Sequence, residues 1–141
     1  MEGIVSLRVI DGHVAGDQMY VYCWQHPRDG KAMYIGATWL HPAARAELHL
    51  HGMEAEARVV GEKLAPLSID PQEPLNVLAF PVPEGMERQT CRLALIAHLA
   101  QTQDLSASYF GPAPETATVD EVPELIVWVK QVAEMIKGRW S

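Results

Sequence analysis

Cysteine, asparagine and positive charge are all scarce in this chain. Its 141 residues hold two cysteines, Cys23 and Cys91. Two are too few for a disulfide scaffold and show no metal-ligand spacing, so free buried thiols of a cytoplasmic protein are expected. No apolar run approaches the ~20 residues that cross a bilayer, which excludes a spanning helix and leaves no membrane partner to expect. The start, Met1 to Ser6, lacks the basic stretch and apolar core of a signal peptide. Internal repeats and low-complexity tracts are missing as well, which excludes a solenoid. Lys and Arg total 11 against 18 Asp and Glu, a net charge of −7. That balance counts against a broad basic surface, since phosphate contacts supply most non-specific affinity for nucleic acid. The deficit is uneven. Residues 20–100 carry nine acids against seven bases, whereas residues 101–141 carry six against three. The middle of the chain is thus the least acidic per residue, and a local basic groove there remains compatible with the composition.

What is present has the makings of one domain with a real core, 48% hydrophobic and 21% charged. Ile4 to Ile10 reads as a strand ending at the turn Asp11-Gly12. Tyr20 to Trp24 is aromatic and β-branched, and Ala32 to Gly36 reads as its return strand. Gln25 to Lys31, between them, holds the turn formers Pro27 and Asp29-Gly30. Side chains alternate along a strand, so Tyr20, Tyr22 and Trp24 share one face, and Ala32, Tyr34 and Gly36 share another. A hairpin that aligns those faces brings the phenols of Tyr22 and Tyr34 together.

Pro42 suits the first turn of a helix that Gly52 would stop. Met53 to Val60 reads as a second short helix, Leu64 to Pro74 as loop, and Leu75 to Phe80 as a strand. Glu84 to Ala100 reads as a long helix with Leu93, Ile96, Ala97 and Ala100 on one stripe. Asp104 to Val122 reads as a Pro/Ser/Thr-rich loop. Pro123 opens a last helix to Lys137, with Leu125, Trp128, Val129, Val132 and Ile136 at helical spacing and Gly138 as the stop. That stripe is either core or the seam of a homodimer. The order β-β-α-β-α describes an α+β domain, a small antiparallel sheet of a β-hairpin plus a third strand covered by helices.

Val21-Tyr22, then Tyr34-Ile35-Gly36 a dozen residues later with Thr38 two beyond, then Arg45 and His49 at i, i+4 spacing, form an ordered set. The set resembles the GIY-YIG endonuclease superfamily over roughly residues 20–100, with the N-terminal strand and C-terminal helix as additions within the single domain 1–141. The resemblance implies a metal-dependent phosphodiester hydrolase acting on nucleic acid, DNA in preference to RNA. Tyr22 and Tyr34 would position and deprotonate water, Arg45 would hold the scissile phosphate, and His49 would assist proton transfer. Gly36 would let substrate approach the backbone closely. A carboxylate would hold Mg or Mn through oxygen ligands.

One position departs from the family. Its glutamate lies three residues before a Leu-Ile pair, and counting back from Leu95-Ile96 lands on Arg92. Glu87 is the nearest carboxylate on that helix and becomes the candidate metal ligand. Arg88 and Arg92 lie i, i+4 on one helix face and become candidate phosphate contacts. The alternative reading is a catalytically inactive relative that keeps the fold to bind nucleic acid or protein.

Overall fold

The protein is described by a computed structural model, and the described residues are 8–10, 13–15, 19–38, 46, 50, 55–68, 75–114 and 122–140. Five strands and three long helices are traced among them. They are β1 (Arg8–Ile10), β2 (His13–Ala15), β3 (Tyr20–Gln25), β4 (Ala32–Thr38), α1 (Ala55–Leu64), β5 (Asn76–Pro81), α2 (Arg88–Gln101) and α3 (Pro123–Trp140). A 3-10 turn, Ala65–Ser68, extends α1.

The main sheet has the order β4-β3-β5 with both pairings antiparallel, so this is an α+β domain on a hairpin plus a third strand. The hairpin closes where expected. Gly30 takes φ 70°, which costs a residue without a Cβ little, and Asp29 Oδ1 accepts from the Lys31 amide at 2.8 Å. β3 is the centre of the sheet and is buried on both faces. On one face Val21, Cys23 and Ile35 meet α2 and α3 through Leu95, Ile96, Leu99, Trp128 and Val132. On the other, Tyr22, Trp24, Met33 and Tyr34 meet Val60 and Leu64 of α1.

α3 is fastened to both ends of the sheet. Trp128 Nε1 donates to the Pro81 carbonyl at 3.0 Å, and Gln25 Nε2 donates to the Ile136 carbonyl at 3.1 Å. Pro81 pairs with Tyr20 at one end of β3 and Gln25 lies at the other, so α3 runs along β3 in the same direction. Its expected apolar stripe is therefore the core of this chain, with Leu125, Trp128, Val129, Val132 and Ile136 all buried. Cys23 and Cys91 are free and buried. No helix among the described residues is long and apolar enough to cross a membrane.

Several expectations need correction. His13–Ala15 returns on Arg8–Ile10 as a two-stranded ribbon where a lone strand was expected. Residues 4–7 lie outside the described residues. The second short helix, traced over Ala55–Leu64, runs past the expected end at Val60, because Val60 and Leu64 one turn apart both find core; residues 53 and 54 lie outside the described residues. The long helix begins at Arg88, not Glu84, because Glu87 caps it and Gly85 turns at φ 83°. Its buried stripe is Cys91, Ala94, Leu95, Ile96, Ala97 and Leu99, rotated from the expected one, so Leu93 and Ala100 are half-buried. α3 continues through Gly138 to Trp140. Ala32 does not share a face with Tyr34 and Gly36. Trp24 pairs with Tyr34 but Gln25 pairs with Ala32, so Met33 is the extra residue of a bulge that turns Ala32 to the opposite core.

Candidate functional site

Local sequence places the two tyrosines. Tyr22 is two residues into the central strand and sits opposite Gly36, while Tyr34 sits opposite Trp24. Both rings emerge on the same face, with centroids 6.2 Å apart and planes tilted by 37°. The ring of Tyr22 lies over Gly36: a Cβ built there would fall 2.2 Å from both Cζ and Oη of Tyr22. The space over Gly36, expected as a point of close approach, is taken by the Tyr22 ring.

The face is roofed. Tyr22 is 3% and Tyr34 5% exposed. Phe110 stacks on Tyr34 at 5.2 Å between centroids, with Val60 and Leu64 packed beside the pair. Ala46 and Leu50, both helical, pack against the same cluster. Phe110 belongs to a stretch read as loop. That stretch in fact follows the outer edge of β4, where Ser106 N donates to Ala32 O at 2.8 Å and Phe110 N to Met33 O at 3.0 Å. An edge strand with buried neighbours must pair its outward carbonyls, and the segment after α2 does so. Nothing in the periodicity of residues 104–114 signals this.

Arg92 completes the edge. It starts on α2, which packs on the face opposite the tyrosines, and its side chain reaches round β4. Its Nε donates to the Ile35 carbonyl at 2.7 Å and its Nη2 to the Tyr34 hydroxyl at 3.3 Å. The guanidinium carbon lies 5.7 Å from the centroid of the Tyr34 ring, near the limit of a cation–π contact. Arg92 thus presents a cation to the hydroxyl and ring of Tyr34. Burial pushes the nearby Tyr109 phenol up to about 12, against a smaller lowering by the Arg92 charge. Tyr109 donates to the Pro112 carbonyl at 2.6 Å and keeps its proton.

Glu87, the candidate metal ligand, is exposed at the start of α2. Its carboxylate accepts from the amides of Gln89 and Thr90 at 3.1 and 3.2 Å and from the Thr90 hydroxyl at 2.9 Å. Those bonds, the Thr90 hydroxyl first, hold its pKa below the ordinary value of 4.5. It is a helix cap, with both oxygens turned to the donors of the first turn. Arg88 is half-buried one turn before Arg92. Arg45 and His49 lie outside the described residues.

Among the described residues, the donor set at the tyrosine pair does not fit a divalent ion. Two phenols and a guanidinium supply no carboxylate oxygen, and no group of three His, Cys, Asp or Glu side chains among the described residues is placed to hold a metal. Comparison of the chain with protein-family profiles, curated proteins and solved structures finds no match.

Proposed function

We propose that this chain is a GIY-YIG-like domain that has lost hydrolysis and serves as a nucleic-acid-binding module. The observation that carries the reading is Arg92, held by Ile35 O and Tyr34 Oη at the place where a metal carboxylate would be needed. A fixed unit charge ~4 Å from a divalent cation repels it by roughly 2 kcal/mol at the dielectric of water and roughly 8 at an effective dielectric of 20. Either figure opposes the ion at the moment hydrolysis needs it. The roof over Tyr22 and Tyr34 acts in the same sense, because phenols that are 3% and 5% exposed offer little room to a water and a phosphodiester together. What persists is the tyrosine-pair hairpin, Gly36 beneath Tyr22, and two arginines on one helix face.

The test is a supercoiled-plasmid nicking assay in Mg and in Mn, run beside fluorescence anisotropy with labelled DNA. Binding without cleavage is expected. Robust metal-dependent nicking by the unmodified protein overturns the reading and returns the domain to the endonucleases, with a carboxylate other than one at position 92 as the ligand.

A further inference from the structure

Arg88 and Arg92 are notable for what they lack in a chain of net charge −7. Neither makes an ion pair with a described residue; the pairs present there include His26–Asp29 and Lys137–Asp104. Arg92 spends Nε on the Ile35 carbonyl and one Nη2 proton on Tyr34, and no bond to a described residue uses its Nη1 group. The Arg88 side chain makes no hydrogen bond with a described residue, and its charge acts on the neighbouring Glu87 carboxylate as the weakest of the causes that lower its pKa. Its acidic neighbour Glu87 has its oxygens turned to the amides of the first turn. Both arginines are half-buried, so their charges are partly desolvated yet reachable.

We propose that Arg88 and Arg92 form a site for two successive phosphates of a single-stranded nucleic acid running along the β4–α2 edge. This rests on the reading of the domain as a nucleic-acid-binding module and names the residues and strandedness of that binding. Residues four apart on a helix place their Cβ atoms ~5–6 Å apart, so the two arginines start from one helix face, with the Arg92 fork fixed at the β4 edge. Arg92 is held in place before binding, since Nε is already fixed to a main-chain carbonyl, and a held fork loses little freedom on engaging an oxyanion. The tyrosine face itself is roofed and takes no base, so the contact is to the backbone and carries no sequence information. Single strands are favoured by charge. A duplex carries one negative charge per ~1.7 Å of axis and a single strand one per ~3.4 Å, so an acidic protein meets half the repulsion from the latter.

The experiment is anisotropy with a fluorescein-labelled mixed-sequence single-stranded DNA and its duplex, across a salt series, using wild type, Arg92→Gln, Arg92→Lys and Arg88→Gln. One phosphate contact on a single strand is worth ~0.7 in the slope of log K against log salt, or about fivefold in affinity at 0.1 M relative to 1 M. Each Gln variant should lower the slope by about 0.7 and the affinity at 0.1 M by about fivefold. Arg92→Lys should keep the slope. A parallel readout follows the Arg92 Nε–Hε NMR resonance during titration with inorganic phosphate, and a saturable shift is expected. Unchanged slope and affinity in both Gln variants, with near-UV circular dichroism intact, overturns the site. Preference for the duplex overturns the strandedness. Cleavage of the probe by wild type overturns the loss of hydrolysis and leaves the arginine contacts standing. If wild type binds neither DNA form, both the module and the site fail.

Discussion

Replacing Gly36 with alanine tests the close packing under Tyr22 with a sign as well as a size. Gly36 is not among the glycines with positive φ, so an L-residue meets no backbone strain there. In a strand, Gly→Ala without a clash stabilises by about 0.5–1 kcal/mol. Here the new methyl would sit 2.2 Å from Cζ and Oη and 2.7 Å from Cε1 of Tyr22. The ring cannot swing away cheaply, because it is 3% exposed and lies against Tyr34. Overpacking of this kind costs about 1–3 kcal/mol, and contact on three ring atoms points to the upper half. The net expectation is a loss of about 1–2 kcal/mol, a fall in Tm of about 3–7 °C for a domain of 141 residues. The assay is thermal and urea unfolding of a two-by-two cycle with Tyr22→Leu, whose side chain ends short of Gly36. In the Tyr22→Leu background Gly36→Ala should turn neutral or stabilising, for a coupling of about 2 kcal/mol. A rise in Tm on the wild-type background, or equal effects in both, refutes the contact.

Two further outcomes follow from the same geometry. Burial raises the Cys23 thiol to about 12 and also raises Cys91, so neither should react with iodoacetamide at pH 8 until the protein is unfolded. The sign of the linkage is set by the unfolded thiols, which deprotonate near 9.0 while the folded ones stay protonated. This contribution is intact below pH 9 and lost as pH rises toward 12, visible as a falling urea midpoint. Glu87→Ala should cost roughly 0.5–1 kcal/mol through loss of the cap and leave any Mg titration of the protein unchanged. Because its pKa is lowered, the Glu87 contribution is present above about pH 4.5 and fades below it, so wild type and variant should converge in stability in acid.

Sequence alone determined the elements whose signals are local. The hairpin is written in Tyr20 to Thr38 because the strands are β-branched and aromatic and the turn holds Asp29-Gly30. The α3 stripe is written in Leu125 to Ile136 because one face of a helix must be apolar to pack. Period-two alternation sufficed to put Tyr22 and Tyr34 on one face, whereas no local pattern shows that Arg92 meets the Tyr34 hydroxyl. Tertiary structure decided the rest, for reasons no local window contains. The bulge at Met33 follows from pairing with β3 and from the chain beyond α2 taking the β4 edge. Phe110 reaches Tyr34 only because that edge needed backbone partners. Glu87 stands among helix residues in the sequence, yet the first-turn amides claim its carboxylate, since unpaired donors at a helix start recruit the nearest acceptor. The path of Arg92 round β4 depends on α2 packing on one face while the phenol it meets lies on the other. Spacing along the chain puts that residue on one helix face with Arg88, but only the thickness of the sheet and the reach of an arginine bring its charge to the tyrosine.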